Sequence, residues 1–217
     1  MRVLEAELLD ALPAMDERAQ HSRRDLRKLN WIMGHRRHMV SMMRSADFDT
    51  LIDVGTGDGQ FALAVAQSLN RPCRLIFVDQ QRVPGAPADL IVSDVMSSLR
   101  SFESRPRTAL MANLFLHHLT DDLLREMFLE ASRKVDGFFA CEPRRSRWSL
   151  MATRLLPLIG CNAVTRHDAA ASIRAGFLGQ ELSPLWPQEQ SRAREQAGWK
   201  LKEYEAGFAS HCFMASR

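Results

Sequence analysis

The chain has 217 residues, with 29 basic and 26 acidic side chains for a net charge of +3, 46% hydrophobic residues and 25% charged ones. That length suits one domain, 1–217, burying roughly 70% of its unfolded surface without staples or metal, and the composition excludes disordered, fibrous and mini-protein classes. No run approaches the ~20 consecutive apolar residues of a membrane span, and the acidic N-terminal run MRVLEAELLDALP lacks a secretory apolar stretch. A cytoplasmic protein with no membrane partner is expected.

Charge is unevenly spread: residues 1–17 sum to −4, 18–44 to +7, 45–143 to −5 and 144–217 to +5. This asymmetry is far weaker than the basic patch of a dedicated nucleic-acid binder. The four cysteines, at 73, 141, 161 and 212, show neither a Cys-x-x-Cys pair nor zinc-ligand spacing. They read as reduced, partly buried small hydrophobes.

Residues 1–46 read as a helical cap. Ser22 followed by Asp25 is a capping-box variant, after which Leu26, Leu29, Ile32 and Met33 recur at helical spacing until Gly34. The period then changes. Leu51-Ile52-Asp53-Val54 is a short apolar strand of the kind buried on both faces of a parallel sheet. Phe61, Val65 and Leu69 share a helical face, and residues 75–78 form a second strand stopped by Asp79. Pro84, Gly85 and Pro87 make 80–88 a loop. A third strand at 90–92 ends near Asp94, a fourth covers 109–114, a helix spans about 120–135, and a fifth strand covers 138–141.

Alternation of this kind calls for a parallel sheet with helices on both faces and right-handed crossovers. Beyond 143, residues 146–160 and 168–177 read as helical, and runs at 199–204 and 211–215 around Gly207 suggest an antiparallel edge hairpin. The expected architecture is a doubly wound, Rossmann-like seven-stranded sheet. Its core spans 47–143, flanked by the cap and by acceptor-side helices and the hairpin at 144–217.

Asp53-Val54-Gly55-Thr56-Gly57-Asp58-Gly59 lies where the first strand turns into a helix. Glycines there let the backbone bend and approach a ligand without a Cβ in the way. Gly57-x-Gly59-x-x-Ala62, with Asp79 twenty residues on, also fits a dinucleotide fingerprint. Charge argues against an NAD-dependent dehydrogenase, because Asp53 and Asp58 would repel a pyrophosphate. A ligand with an ammonium, a sulfonium and a ribose diol but no phosphate suits these acids.

With Asp79 ending the second strand, Ser93-Asp94-Val95 after the third and Asn113-Leu114-Phe115-Leu116-His117-His118-Leu119 after the fourth, residues 48–143 resemble the class I S-adenosylmethionine-dependent methyltransferases. The resemblance implies S-adenosylmethionine as cofactor. Asp53 would face its amino group, Asp79 both ribose hydroxyls and Asp94 the adenine amino group. Backbone of Gly55, Gly57 and Asn113 would line the methionyl part, with Thr56, Gly59, Gln80, Val95 and Leu114 beside them. Asp94 is equally placed to cap a helix starting near Ser97, and Asp58 to serve as a helix N-terminal charge.

His117 and His118 follow the fourth strand at the carboxyl edge of the sheet, where ligands of open α/β folds lie. One of them is a candidate general base for a hydroxyl acceptor, a packing or capping role being the alternative. Glu142-Pro143-Arg144-Arg145, Arg166-His167-Asp168 and the stretch 172–177 resemble small bacterial methyltransferases of phenolic or polyketide-like small molecules. The 23–30 helix looks like their lid. The glycine-loop wording and the +7 segment leave a ribosomal or transfer RNA methyltransferase, or a non-catalytic adenosyl-binding regulator, as alternatives. No carboxylate and Asn pair lies near Asn113 in a ligand-like pattern, so no metal is expected.

Overall fold

The computed structural model describes residues 1–187 and 198–217. Among these, seven strands form one sheet: β1 (Thr50–Val54), β2 (Arg74–Asp79), β3 (Ile91–Val92), β4 (Thr108–Asn113), β5 (Gly137–Pro143), β6 (Lys200–Ala206) and β7 (Ser210–Ser216). Their order across the sheet is β3-β2-β1-β4-β5-β7-β6. The first five strands are parallel, and β7 runs antiparallel to both β5 and β6. The C-terminal hairpin is therefore present, entered through β6 at the edge and closed by β7 against β5.

Helices α1 (Leu8–Ala11), α2 (Glu17–Ile32) and α3 (His35–Met43) precede β1. The crossovers carry α4 (Gln60–Leu69), α5 (Val95–Ser101) and α6 (Asp121–Lys134), while α7 (Arg147–Ala152) and α8 (Ala163–Ala175) follow β5. None of these helices is long and apolar enough to cross a membrane.

The central strands are covered on both faces, which is why they read as continuous apolar runs. Leu51, Met111, Phe139 and Cys141 pack on one face with Met39 and Met43 of α3 and Ala62 and Val65 of α4. Ile52, Leu110, Phe138 and Phe213 pack on the other with Leu124, Met127 and Phe128 of α6 and with Trp186. Cys141 and Cys212, opposite each other on β5 and β7, are free and buried, as expected of small hydrophobes.

The N-terminal stretch is helical up to Met43, and α3 buries Met39, Met42 and Met43 in the core. Two local expectations are corrected. The helix expected from Ser22 starts at Glu17, capped by Asp16, whose side chain accepts from Arg18 N. The stretch 146–160 is not one α-helix, since α7 passes at Thr153 into a 3-10 turn ending at Ile159. Pro157 lies inside that turn, and it can neither donate a backbone hydrogen bond nor fit an α-helix interior.

Ser22 and Asp25 are instead buried in the middle of α2. Asp25 accepts from Asn162 N, Thr165 Oγ1 and Lys28 Nζ, each at 3.0 Å. Burial pushes its carboxyl up, and these donors outweigh that and hold it below the ordinary value. The acid thus sits at the N-terminus of α8, where the helix dipole favours a negative charge. Asp25→Ala should cost about 2–4 kcal/mol in urea unfolding, since it strands buried donors. A change within experimental error would show that α2 is held to α8 by other contacts.

Candidate active site

The order of strands reverses between β1 and β4, and in open α/β sheets ligands lie outside the carboxyl ends of the strands at that point. Asp53 on β1 is buried, with the Thr56 hydroxyl donating to Oδ2. Burial pushes its carboxyl up to about 7, against the Thr56 hydrogen bond and with the nearby charge of Asp79 adding to the rise. Asp79, at the end of β2, accepts from Gly57 N at 2.8 Å and from Gln81 N at 3.0 Å. The second strand's acid therefore shapes the glycine loop.

Two glycines matter for different reasons. Gly55 has φ +69°, and a Cβ there would meet the Phe115 ring at 2.4 Å. Gly57 has φ +59°, and a Cβ there would meet nothing within 4 Å, so the loop is open to a ligand at this residue. Gly59 precedes α4 in a left-handed conformation. Gln80 is exposed after β2. Asp94 is exposed and caps α5 by accepting from Ser97 N at 2.9 Å, which lowers its pKa, and Val95 is buried behind it.

After β4 the chain bends sharply. Leu114 has φ +54°, and its N–H donates to Cys141 O at 2.9 Å. Asn113 accepts from His35 Nδ1 at 2.8 Å and donates to Asn30 Oδ1 at 2.9 Å. Burial lowers the His35 pKa to about 4, so its ring is neutral. On the other side of the loop, Arg27 of α2 pairs with Asp58 at 2.5 Å. Part of the basic 18–44 segment thus neutralises the acidic loop, and α2 reaches the carboxyl edge of the sheet through Arg27 and Asn30.

The histidine pair is split by its surroundings. The Glu142 carboxylate, fully buried on β5, accepts from the backbone N–H groups of Phe115, Leu116 and His117 at 2.9, 2.8 and 3.3 Å, and from His117 Nδ1 at 2.7 Å. Nε2 of His117 lies 3.5 Å from Glu7 Oε1. Burial would lower the His117 pKa, but the two carboxylates raise it to about 9. His117 therefore carries its proton at neutral pH and offers no lone pair for base catalysis. His118 lies beside it, tilted by 34° at 4.2 Å between ring centroids, and its pKa is lowered by desolvation and by the charge of His117.

No family model matches the sequence, and no curated protein sequence matches it significantly. Solved structures do match. The plantazolicin methyltransferase BamL, in complex with a triazolic desmethylPZN analog and SAH, superposes with a TM-score of 0.66 at 12% identity, over 96% of this chain and 92% of that one. The related BpumL in complex with SAH gives 0.60 at 10% identity, over 93% and 91%. Human N-acetylserotonin methyltransferase in complex with SAM gives 0.53 at 13% identity, over 96% and 61%. The chain has the class I methyltransferase fold.

Within that fold, Asp53, Gly55, Thr56, Gly57, Asp79 and Asn113 gather at the carboxyl edge of β1, β2 and β4, while Asp94 and Val95 open α5 after β3. The sequence singles out the 23–30 helix and Glu142 without naming their partners and carries no signal for His35 or Glu7: Asn30 and His35 meet Asn113, Arg27 meets Asp58, and Glu7 and Glu142 meet His117. Glu142 stands at the end of a strand, where a charged residue in a buried run needs a partner.

Proposed function

We propose that this chain transfers a methyl group from S-adenosylmethionine to a small-molecule acceptor, a hydroxyl of a phenolic, quinol or polyketide-like compound. The observation that carries this reading is the pair of carboxylates, Asp53 and Asp79, at neighbouring strand ends, joined by a loop that is open at Gly57. A pyrophosphate over this loop would meet both acids. Arg27 compensates Asp58, so the case against a dinucleotide rests on Asp53 and Asp79. A cationic ammonium near Asp53 would restore the ionised carboxylate that burial disfavours. The plantazolicin methyltransferases of the same fold, both crystallised with a desmethylPZN analog and SAH, support a small acceptor.

Asp79 would hold the ribose hydroxyls and Asp94, with Gln80 and Val95, the adenine. Asp53, Gly55, Thr56, Gly57, Gly59, Asn113 and Leu114 would hold the methionyl part. S-adenosylmethionine supplies an electrophilic methyl group, and the protein's task is to align an acceptor atom behind it. Asn30 and Arg27 bring α2 against Asn113 and the glycine loop, the placement of a lid over that edge. With His117 already protonated and His118 made a weaker base by its neighbour, the acceptor that suits this edge is an acidic phenol arriving ionised.

The test is methyl transfer from labelled S-adenosylmethionine to two phenols of different acidity. His118→Ala should lower kcat only a few-fold, and the pH profile should follow the phenol. A loss of ~10²-fold or more, with a profile fixed near the histidine pKa for both phenols, would return His118 to the role of general base.

A further inference from the structure

The N-terminal strap is pinned across α8 and the turn after β4. Arg2 donates to the carbonyls of Leu116, His117, Leu119 and Ala175 and pairs with Asp121 at 2.8 Å. Val3 N–H donates to Arg174 O, and the N–H groups of Leu8 and Leu9 both donate to the Asp168 carboxylate. Glu7 is thereby fixed opposite the two histidines, and the donor atoms of Glu7, His117 and His118 all lie within 4.8 Å of one another. With Asp10 they line a cleft of about 300 Å³.

We propose that Glu7, His117 and His118 form a binding site for a divalent transition-metal ion of the zinc class. Two imidazoles and one carboxylate are a ligand set of open zinc sites, which leave a fourth position for water or an oxygen ligand, and all three residues line the cleft. The 3.5 Å between Glu7 Oε1 and His117 Nε2 is long for a hydrogen bond. It is close to the ~3.3 Å that separates two ligands of a tetrahedral ion bound at ~2.0–2.1 Å.

Outer partners are already in place. His117 Nδ1 donates to Glu142 at 2.7 Å, which directs Nε2 at Glu7, the carboxylate–histidine arrangement that orients metal ligands. The Ser172 hydroxyl donates to Glu7 Oε1. On binding, the ion replaces the proton on His117 Nε2 and releases it to solvent. An ion pair of His117 with its two carboxylates would explain one imidazole, whereas the metal also explains the second, whose ring centroid lies 4.2 Å away.

Calorimetric titration of ZnCl₂ into the full chain, chelator-treated and free of S-adenosylmethionine, tests the site separately from methyl transfer. One ion per chain is expected, with submicromolar Kd. The melting midpoint should rise by roughly 5–10 °C at a hundredfold excess over Kd. His118 is exposed, and glutamine keeps the shape of Glu7, so His118→Ala and Glu7→Gln preserve the fold. Each should weaken binding by more than the ~10–100-fold that loss of an outer partner costs. No binding, or binding of unchanged affinity in both variants, overturns the proposal.

Discussion

Gly57→Arg should abolish binding of S-adenosylhomocysteine, and Asp79→Ala should weaken it by about 100-fold. Gly57 sits at φ +59°, where an L-residue pays ~1–2 kcal/mol, and its missing side chain points into open space. On the proposed reading, an arginine there fills the space that a bound adenosyl ligand needs. The alanine variant of Asp79 also loses contacts within the protein. The Asp79 carboxylate accepts from Gly57 N and Gln81 N, so without it the loop loses its tie to β2. Calorimetry with S-adenosylhomocysteine on wild type and both variants, with melting curves to show that each is folded, reads the effect. Binding left intact in both would remove the glycine loop from the cofactor site. Equal or tighter binding of a nicotinamide dinucleotide to the wild type would overturn the choice of cofactor itself.

The largest loss of stability is expected from Glu142→Ala, about 3–5 kcal/mol, because it breaks a buried ion pair and leaves three backbone donors unpaired. For a chain of this length that lowers the melting midpoint by roughly 6–20 °C. The pH dependence carries a sign that identifies the pair. Burial acts to lower the His117 pKa, but Glu142 and Glu7 lift it from 6.5 to about 9, so its stabilisation is full below pH 6.5 and is lost as pH rises through 9. Burial acts to raise Glu142, yet His117 and the backbone donors hold it below 4.5, so its share is full above that pH and is lost on further acidification. The pair is therefore fully effective between pH 4.5 and 6.5. Asp53, raised from 3.8 to about 7 by burial, adds a second loss that accrues between those two pH values and is complete before that of His117. Melting curves from pH 5 to 10 should show a decline that continues above pH 7 in the wild type. That later part should be much reduced in Glu142→Ala. An alkaline slope that the substitution leaves unchanged would show that His117 is not held protonated by Glu142.

The sheet was legible because a doubly covered strand has a local signature. Leu51-Ile52-Asp53-Val54 is apolar but for Asp53 and is stopped by Gly55, and the apolar run entering Asn113 is stopped by that amide, which together place strand and strand end. The loop was legible for a similar reason, since Gly55 and Gly57 need positive φ and closely spaced glycines announce it. Local signals failed where one residue type suits two tasks. Ser22 and Asp25 have the spacing of a helix cap, but in α2 the same side chains face Asn162 and Thr165, more than 130 residues away in sequence. Leu26 and Leu29 follow the helical period yet are only half-buried, while Trp31 and Ile32 at the end of α2 are exposed.

The alternation of strands and helices, the parallel sheet with its antiparallel C-terminal hairpin, and the acids at or just after the ends of the first three strands follow from period, burial and turn chemistry within about twenty residues. The state of the histidines and the company of the loop depend on long-range packing. Glu142 meets His117 because β5 lies beside β4, Glu7 meets it because the N-terminal strap crosses α8, and Arg27 meets Asp58 because α2 lies over the carboxyl edge. A histidine's protonation depends on the carboxylates within a few ångströms, and which carboxylates those are is settled by packing between elements that no periodicity connects.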